Sequence, residues 1–163
     1  MSTTIVACAM RFDRVVVSHV GDSRCYLIRD LRATQLTADH TVTGEQMRLG
    51  ILSRREAQSA STKHLLSRSL GANLFVSVDT SEHGLVRGDV LLQCSDGLHN
   101  SVTETDLVAA AQGHSKLDEA ATELVALANE RDGSDNISVQ LIRIRAVERV
   151  GMYRGRPYRL PNS

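Results

Sequence analysis

The spacing of apolar and polar positions changes period along the chain. In the first third, apolar residues run in short β-branched blocks between turn residues, the pattern of strands. Strands are predicted at residues 3–10, 15–20, 24–29 and 33–37, separated by Arg11 to Arg14, Gly21-Asp22-Ser23 and Asp30-Leu31-Arg32. Connections this short predict an antiparallel meander with Asp22 at a hairpin tip. A weak helical pattern covers residues 42–49. Ser53-Arg54-Arg55-Glu56 has the capping-box spacing and starts a second short helix. Residues 60–63 are small and polar, a loop, and residues 65–71 read as one helical turn closed by Gly71. Residues 74–78 and 88–94 are further predicted strands. The period then moves to that of a helix, over residues 103–112 and 116–131. The second of these carries Leu117, Ala120, Ala121, Leu124, Leu127 and Ala128 on one stripe. Residues 137–144 alternate again, a last strand.

Strands dominate early and pair with helices later, which places the chain in the α+β class, antiparallel sheets covered by helices. Its 163 residues suit one domain. That domain is expected over residues 1–145. Residues 146–163 hold four arginines, two prolines and neither period, and are expected to be a basic flexible tail or docking segment.

Composition removes several function classes. Lys plus Arg and Asp plus Glu both number 19, so no global field favours nucleic acid or an anionic membrane. Aromatic residues make up 3% and Trp is absent, which leaves no platform for stacking bases. No apolar run approaches the ~18 residues of a membrane span, and the first residues lack the charged start and long apolar core of a signal peptide. Cys8, Cys25 and Cys94 lie in apolar strand-like runs without CxxC spacing, so they read as reduced thiols in a cytoplasmic protein rather than a disulfide framework. His64, His83, His99 and His114 show no zinc-ligand spacing. No P-loop cradle is present, and Ser95 is not in a nucleophile elbow.

The remaining chemistry lies in carboxylates. Asp96 ends the apolar run at 90–94 and is followed by Gly97, a residue suited to sharp turns. Asp22 sits in a turn, and Asp135 precedes the last strand. In an antiparallel sheet all three fall at one end. Clustered carboxylates repel one another unless a cation neutralises them, and an oxygen-only donor set suits a hard cation such as Mg²⁺ or Mn²⁺. Turn residues of this kind are also common without any ligand.

The blocks VVVSHVGDSRCYLIRD, QLTADHT, LLSRSLG, GDVLLQCSDGLHNSV and GSDNISVQLIRI, in that order, resemble signature blocks of the metal-dependent serine/threonine protein phosphatases of type 2C. The resemblance spans roughly residues 3–144. It implies an αββα sandwich, two antiparallel sheets face to face with helices outside. It also implies hydrolysis of phosphoserine and phosphothreonine by a metal-bound water, with Mn²⁺ or Mg²⁺ as the metal. Asp96 and Asp135 match the family's metal-ligand aspartates, and Asp22 matches the aspartate of an additional metal in bacterial members. His19, Ser23, Arg24, Asp39 and His40 match motif positions with structural roles: Ser23 and Arg24 at the turn, Asp39 and His40 at a strand exit. Residues 42–63 resemble the flap of bacterial members. The family's opening blocks, with a phosphate-binding arginine and a metal-bridging aspartate, have no counterpart in the sequence. The implied sandwich is therefore incomplete at its N-terminal side. Two functions stay open: a protein phosphatase acting on phosphorylated proteins beside a cognate serine/threonine kinase system, or a non-catalytic binding module derived from one.

Overall fold

The strands of the first third form as the alternation predicts, but they divide between two sheets. In the computed structural model, which describes residues 2–62, 64–147 and 150–159, β1 (Ile5–Arg11) pairs antiparallel with β2 (Arg14–Val20). The other side of β2 takes β5 (Asp79–Gly84). The second sheet has the order β4 (Arg32–Gln35), β3 (Arg24–Arg29), β6 (Val90–Cys94), β7 (Val139–Arg143), all antiparallel.

This arrangement corrects the meander. β2 and β3 do not pair, and Gly21-Asp22-Ser23 is a corner between sheets rather than a hairpin tip. Gly21 makes the corner possible: its φ is +108°, and a Cβ there would lie 2.3 Å from the Thr4 methyl. Both strands keep an apolar inner face, so crossing to the facing sheet buries both. Val15, Val17, Cys25, Leu85, Leu91 and Ile144 form the core between the sheets.

β6 is buried on both faces, which explains its unbroken apolar run. Leu91 points between the sheets, whereas Val90, Leu92 and Cys94 join the core under the helices. That outer core is closed by α4 (Glu104–Gly113) and α5 (Leu117–Arg131), through Leu107, Ala110, Ala120, Leu124 and Ala128. Small residues on these helices let them lie close to the sheet. Thr103 caps α4 in a reciprocal capping box with Asp106. Ala7, Ala9 and Val16, on the outer face of the first sheet, are exposed.

Helices α1 (Val42–Arg48) and α2 (Arg54–Ser59) lie in the expected flap, α2 starting at the Ser53–Glu56 capping box. Lys63, at the end of that flap, is outside the described residues. Residues 65–71 make no helical turn. Leu66 bridges to Thr41, and Leu70 exchanges backbone hydrogen bonds of 3.0 and 2.8 Å with Thr3. A seven-residue helix is too short to hold itself, so these tertiary bonds win. Residues 74–78 are not a strand either. Leu74 and Phe75 are exposed, and the strand begins at Asp79, where β2 supplies a partner from His19 to Arg14. Pairing, not polarity, decides that DTSEHG is the strand. The tail also differs from its expected lack of period: β8 (Val150–Tyr153) and β9 (Arg156–Arg159) form a hairpin. Arg154 and Gly155 both have positive φ, as a two-residue hairpin turn requires. Glu148, Arg149 and residues 160–163 of the expected tail are outside the described residues.

Candidate metal centre

Three turns meet at the end of the second sheet where β3 begins, β6 ends and β7 begins. β6 delivers Asp96 as the first residue of α3 (Asp96–His99), a single turn. Its carboxylate accepts the Gly97 N–H at 3.0 Å. Asp135 holds its own turn in the same way, accepting the Asn136 N–H at 2.7 Å, and is exposed. The two turns are locked together. Ser95 N–H donates to the Ser138 carbonyl at 3.0 Å, Ser138 N–H donates to Ser95 Oγ at 2.9 Å, and Ser95 Oγ donates to the Asn136 carbonyl at 3.2 Å. Gly97 packs so tightly on this turn that a Cβ would stand 2.5 Å from the Asn136 oxygen. The sequence pairs Asp-Gly with Asp-Asn for this reason: one turn needs a missing side chain where the other passes.

Asp22 comes from the inter-sheet corner. It is buried, and its carboxyl is pushed above its ordinary range by that burial first and by the charge of Asp96 second. Asp22 and Asp96 therefore feel each other, and a shared cation is what relieves such a pair. His99 ties the two turns, its Nε2–H donating to the Asp22 carbonyl at 3.0 Å. With that proton on Nε2, Nδ1 is a lone-pair acceptor, and it is buried with no partner among the described residues. Burial, then the nearby Arg24 guanidinium, lowers the His99 pKa to about 4. Among the described residues Asp22, Asp96 and Asp135 do not bring their donor atoms within 4.8 Å of one another, so the structure sets the three turns side by side without closing a ligand set.

The other motif residues brace this corner. Ser23 Oγ and Thr4 Oγ1 are 2.8 Å apart. Arg24 grips Asp39 through Nε at 2.9 Å and Nη2 at 2.6 Å, and also donates to the Tyr26 hydroxyl. Burial opposes the Arg24 charge, but the Asp39 hydrogen bonds hold its pKa above the usual guanidinium range. His19 and His40 stack with ring centroids 4.7 Å apart. His40 Nδ1 accepts the Gly21 N–H at 3.2 Å, and Nε2 lies 3.1 Å from Asp79.

Sequence reasoning missed Asp79, Arg68 and the role of His99. Donor atoms of His19, His40 and Asp79 lie within 4.8 Å of one another, a spacing that a metal ion could bridge. Arg68 already brings positive charge there, at 2.8 Å from Asp79. Asp79 sits 39 positions beyond His40 with no spacing motif between them; the β2–β5 pairing sets Asp79 opposite His19, and His40 joins them by stacking on His19. His99 carried a local signal, three positions after Asp96 in a one-turn helix.

Comparison with known proteins agrees with the motif order. The profile of the family described as Protein phosphatase 2C matches residues 2–137. The chain is 40% identical over 156 residues to the serine/threonine phosphatase stp of Listeria welshimeri, covering 96% of this chain and 60% of that protein. Its fold is similar to the Streptococcus agalactiae serine/threonine phosphatase, with a TM-score of 0.85 and 36% identity over 89% of this chain and 60% of that one. It is also similar to the catalytic domain of the serine/threonine protein phosphatase PstP in complex with two manganese ions, with a TM-score of 0.78, 31% identity and the same shares of each chain. The chain thus spans about 60% of the length of the curated relatives it matches. Profile, identity and fold agree over nearly all of its described length, and on that ground the chain belongs to the protein phosphatase 2C family.

Proposed function

We propose that this chain supplies the metal-holding half of a serine/threonine protein phosphatase centre, with Asp96, Asp135 and Asp22 as the carboxylates that hold Mn²⁺ or Mg²⁺. The observation that carries this reading is the interlock of their three turns, Gly97 on Asn136 and His99 on Asp22. When bound, such cations lower the pKa of coordinated water toward neutrality and stabilise phosphoryl oxygens in an in-line displacement. The chain's own part is positional. Ser95 keeps the Asp96 and Asp135 turns in register, Arg24 and Asp39 hold the start of β3, and His99 keeps the Asp22 backbone against α3. A related structure containing two manganese ions supports this cation class. Substrates on this reading are proteins carrying phosphoserine or phosphothreonine, and the opposing enzyme is a serine/threonine kinase. Among the described residues no helix is long and apolar enough to cross a membrane, and the three cysteines are free thiols; both suit the cytoplasm. The test is Mn²⁺ binding by calorimetry and Mn²⁺-dependent hydrolysis of a phosphothreonine peptide, with Asp96→Ala and Asp135→Ala. Both variants should lose binding and hydrolysis. Unchanged Mn²⁺ affinity in both overturns the assignment.

A further inference from the structure

Two thiols face each other across the sandwich, and the proposed hydrolysis uses neither. Cys8 lies on β1 and Cys25 on β3, one from each sheet, with sulfurs 3.7 Å apart. The sheets converge here because the chain passes from β2 to β3 through only three residues, and the Thr4–Ser23 contact of 2.8 Å marks the same convergence. Cys25 is fully buried, whereas Cys8 is half-buried. Cys94, the third thiol, belongs to the core under the helices and so faces away from the pair.

From this geometry we infer that Cys8 and Cys25 are an oxidisable pair, a modification site at which a hydroperoxide forms a disulfide between the two sheets. The sulfurs must close from 3.7 Å to about 2.05 Å, a change within reach of side-chain rotation plus a small shift of the edge strand β1. Their environments divide the labour. Cys8 is the partly exposed member, open to a hydroperoxide, whereas Cys25 is buried; their mutual contact lowers the Cys8 pKa and, together with burial, raises that of Cys25. Cys8 is therefore the attacking thiolate. Its sulfur attacks the peroxide, an S–O bond forms, the O–O bond breaks, and the departing oxygen takes a proton and leaves as water or alcohol. The Cys25 sulfur then attacks the Cys8 sulfur. An S–S bond forms, the S–O bond breaks, and the leaving hydroxide takes the Cys25 proton as water. Two thiols lose two electrons and the peroxide gains them. The new bond would tie β1, an edge strand, to β3, three residues beyond Asp22.

The first measurement uses the unaltered chain. The folded chain is treated with stoichiometric hydrogen peroxide, alkylated, digested and mapped by mass spectrometry, and its melting temperature is measured before and after. The expected result is a peptide pair joined through Cys8 and Cys25, lighter by two hydrogens, with Cys94 alkylated. The oxidised protein should melt several degrees higher, and dithiothreitol should reverse both changes. A Cys25→Ala variant should instead accumulate a dimedone-reactive sulfenic acid at Cys8. Two results overturn the proposal: Cys8 and Cys25 both fully alkylated after treatment, or a disulfide that uses Cys94.

Discussion

Replacing Gly97 by alanine tests the site with a single methyl group. The new Cβ would stand 2.5 Å from the Asn136 carbonyl oxygen and 3.1 Å from its carbon. Ordinary contact begins at 3.4 Å, so the two turns must part by about 0.9 Å. Two effects oppose each other. Gly97 lies in α3 without a positive φ, so helix propensity alone favours alanine by about 1 kcal/mol. Overpacking costs about 1–3 kcal/mol, and the upper part of that range applies when the neighbour cannot yield. The Asn136 carbonyl is backbone, held by Ser95 Oγ, and Ser95 is itself bonded twice to Ser138. The steric cost therefore wins, with a net destabilisation of about 1–2 kcal/mol. The same displacement separates Asp96 from Asp135, and Mn²⁺ affinity should fall roughly 10–100-fold, the usual effect of disturbing groups that orient metal ligands. Urea denaturation and calorimetric Mn²⁺ titration measure the two quantities. Gly113→Ala is the control, since a Cβ there meets nothing within 4 Å. A Gly97→Ala protein as stable and as tight for Mn²⁺ as the parent would refute the reasoning.

Asp89 is buried to 1% exposure, accepts Arg29 at 2.8 and 2.7 Å and the Val86 N–H at 2.8 Å. Because Arg29 is partly solvated, Asp89→Ala should cost about 3 kcal/mol, the low end for breaking a buried pair, read as a lower urea midpoint. Leu124→Ala, at a fully buried position in the core between the second sheet and its helices, should cost about 3 kcal/mol or more by the same measurement, leaving a cavity under α5. His99 gives a pH signature. Its folded pKa is depressed to about 4 against 6.5, so the unfolded chain binds the extra proton between those values. Stability from this group is complete above pH 6.5 and is lost as pH falls through about 4, on the order of 3 kcal/mol in all. The melting temperature of His99→Gln should therefore vary less than that of the parent between pH 4 and 7. His40 is shifted in the same direction in both proteins, so the difference between the curves isolates His99.

The sequence by itself determined the elements whose residues carry their own local signal. β2, β3 and β6 are apolar on one or both faces, α5 has a helical stripe, and the Ser53 capping box marks the start of α2. The resemblance of the ordered motif blocks pointed to the three carboxylates, which turn chemistry by itself does not single out. Tertiary structure decided what depends on partners far along the chain. DTSEHG is a strand only because β2 lies beside it, and residues 65–71 form no helical turn because Leu66 and Leu70 bridge to Thr41 and Thr3. The passage between sheets at Gly21 rests on the Thr4 side chain, which no spacing rule connects to it. Periodicity reports which face of an element is apolar. It does not report which element covers that face, and the meeting of the turns that carry Asp22, Asp96 and Asp135 follows from the covering alone.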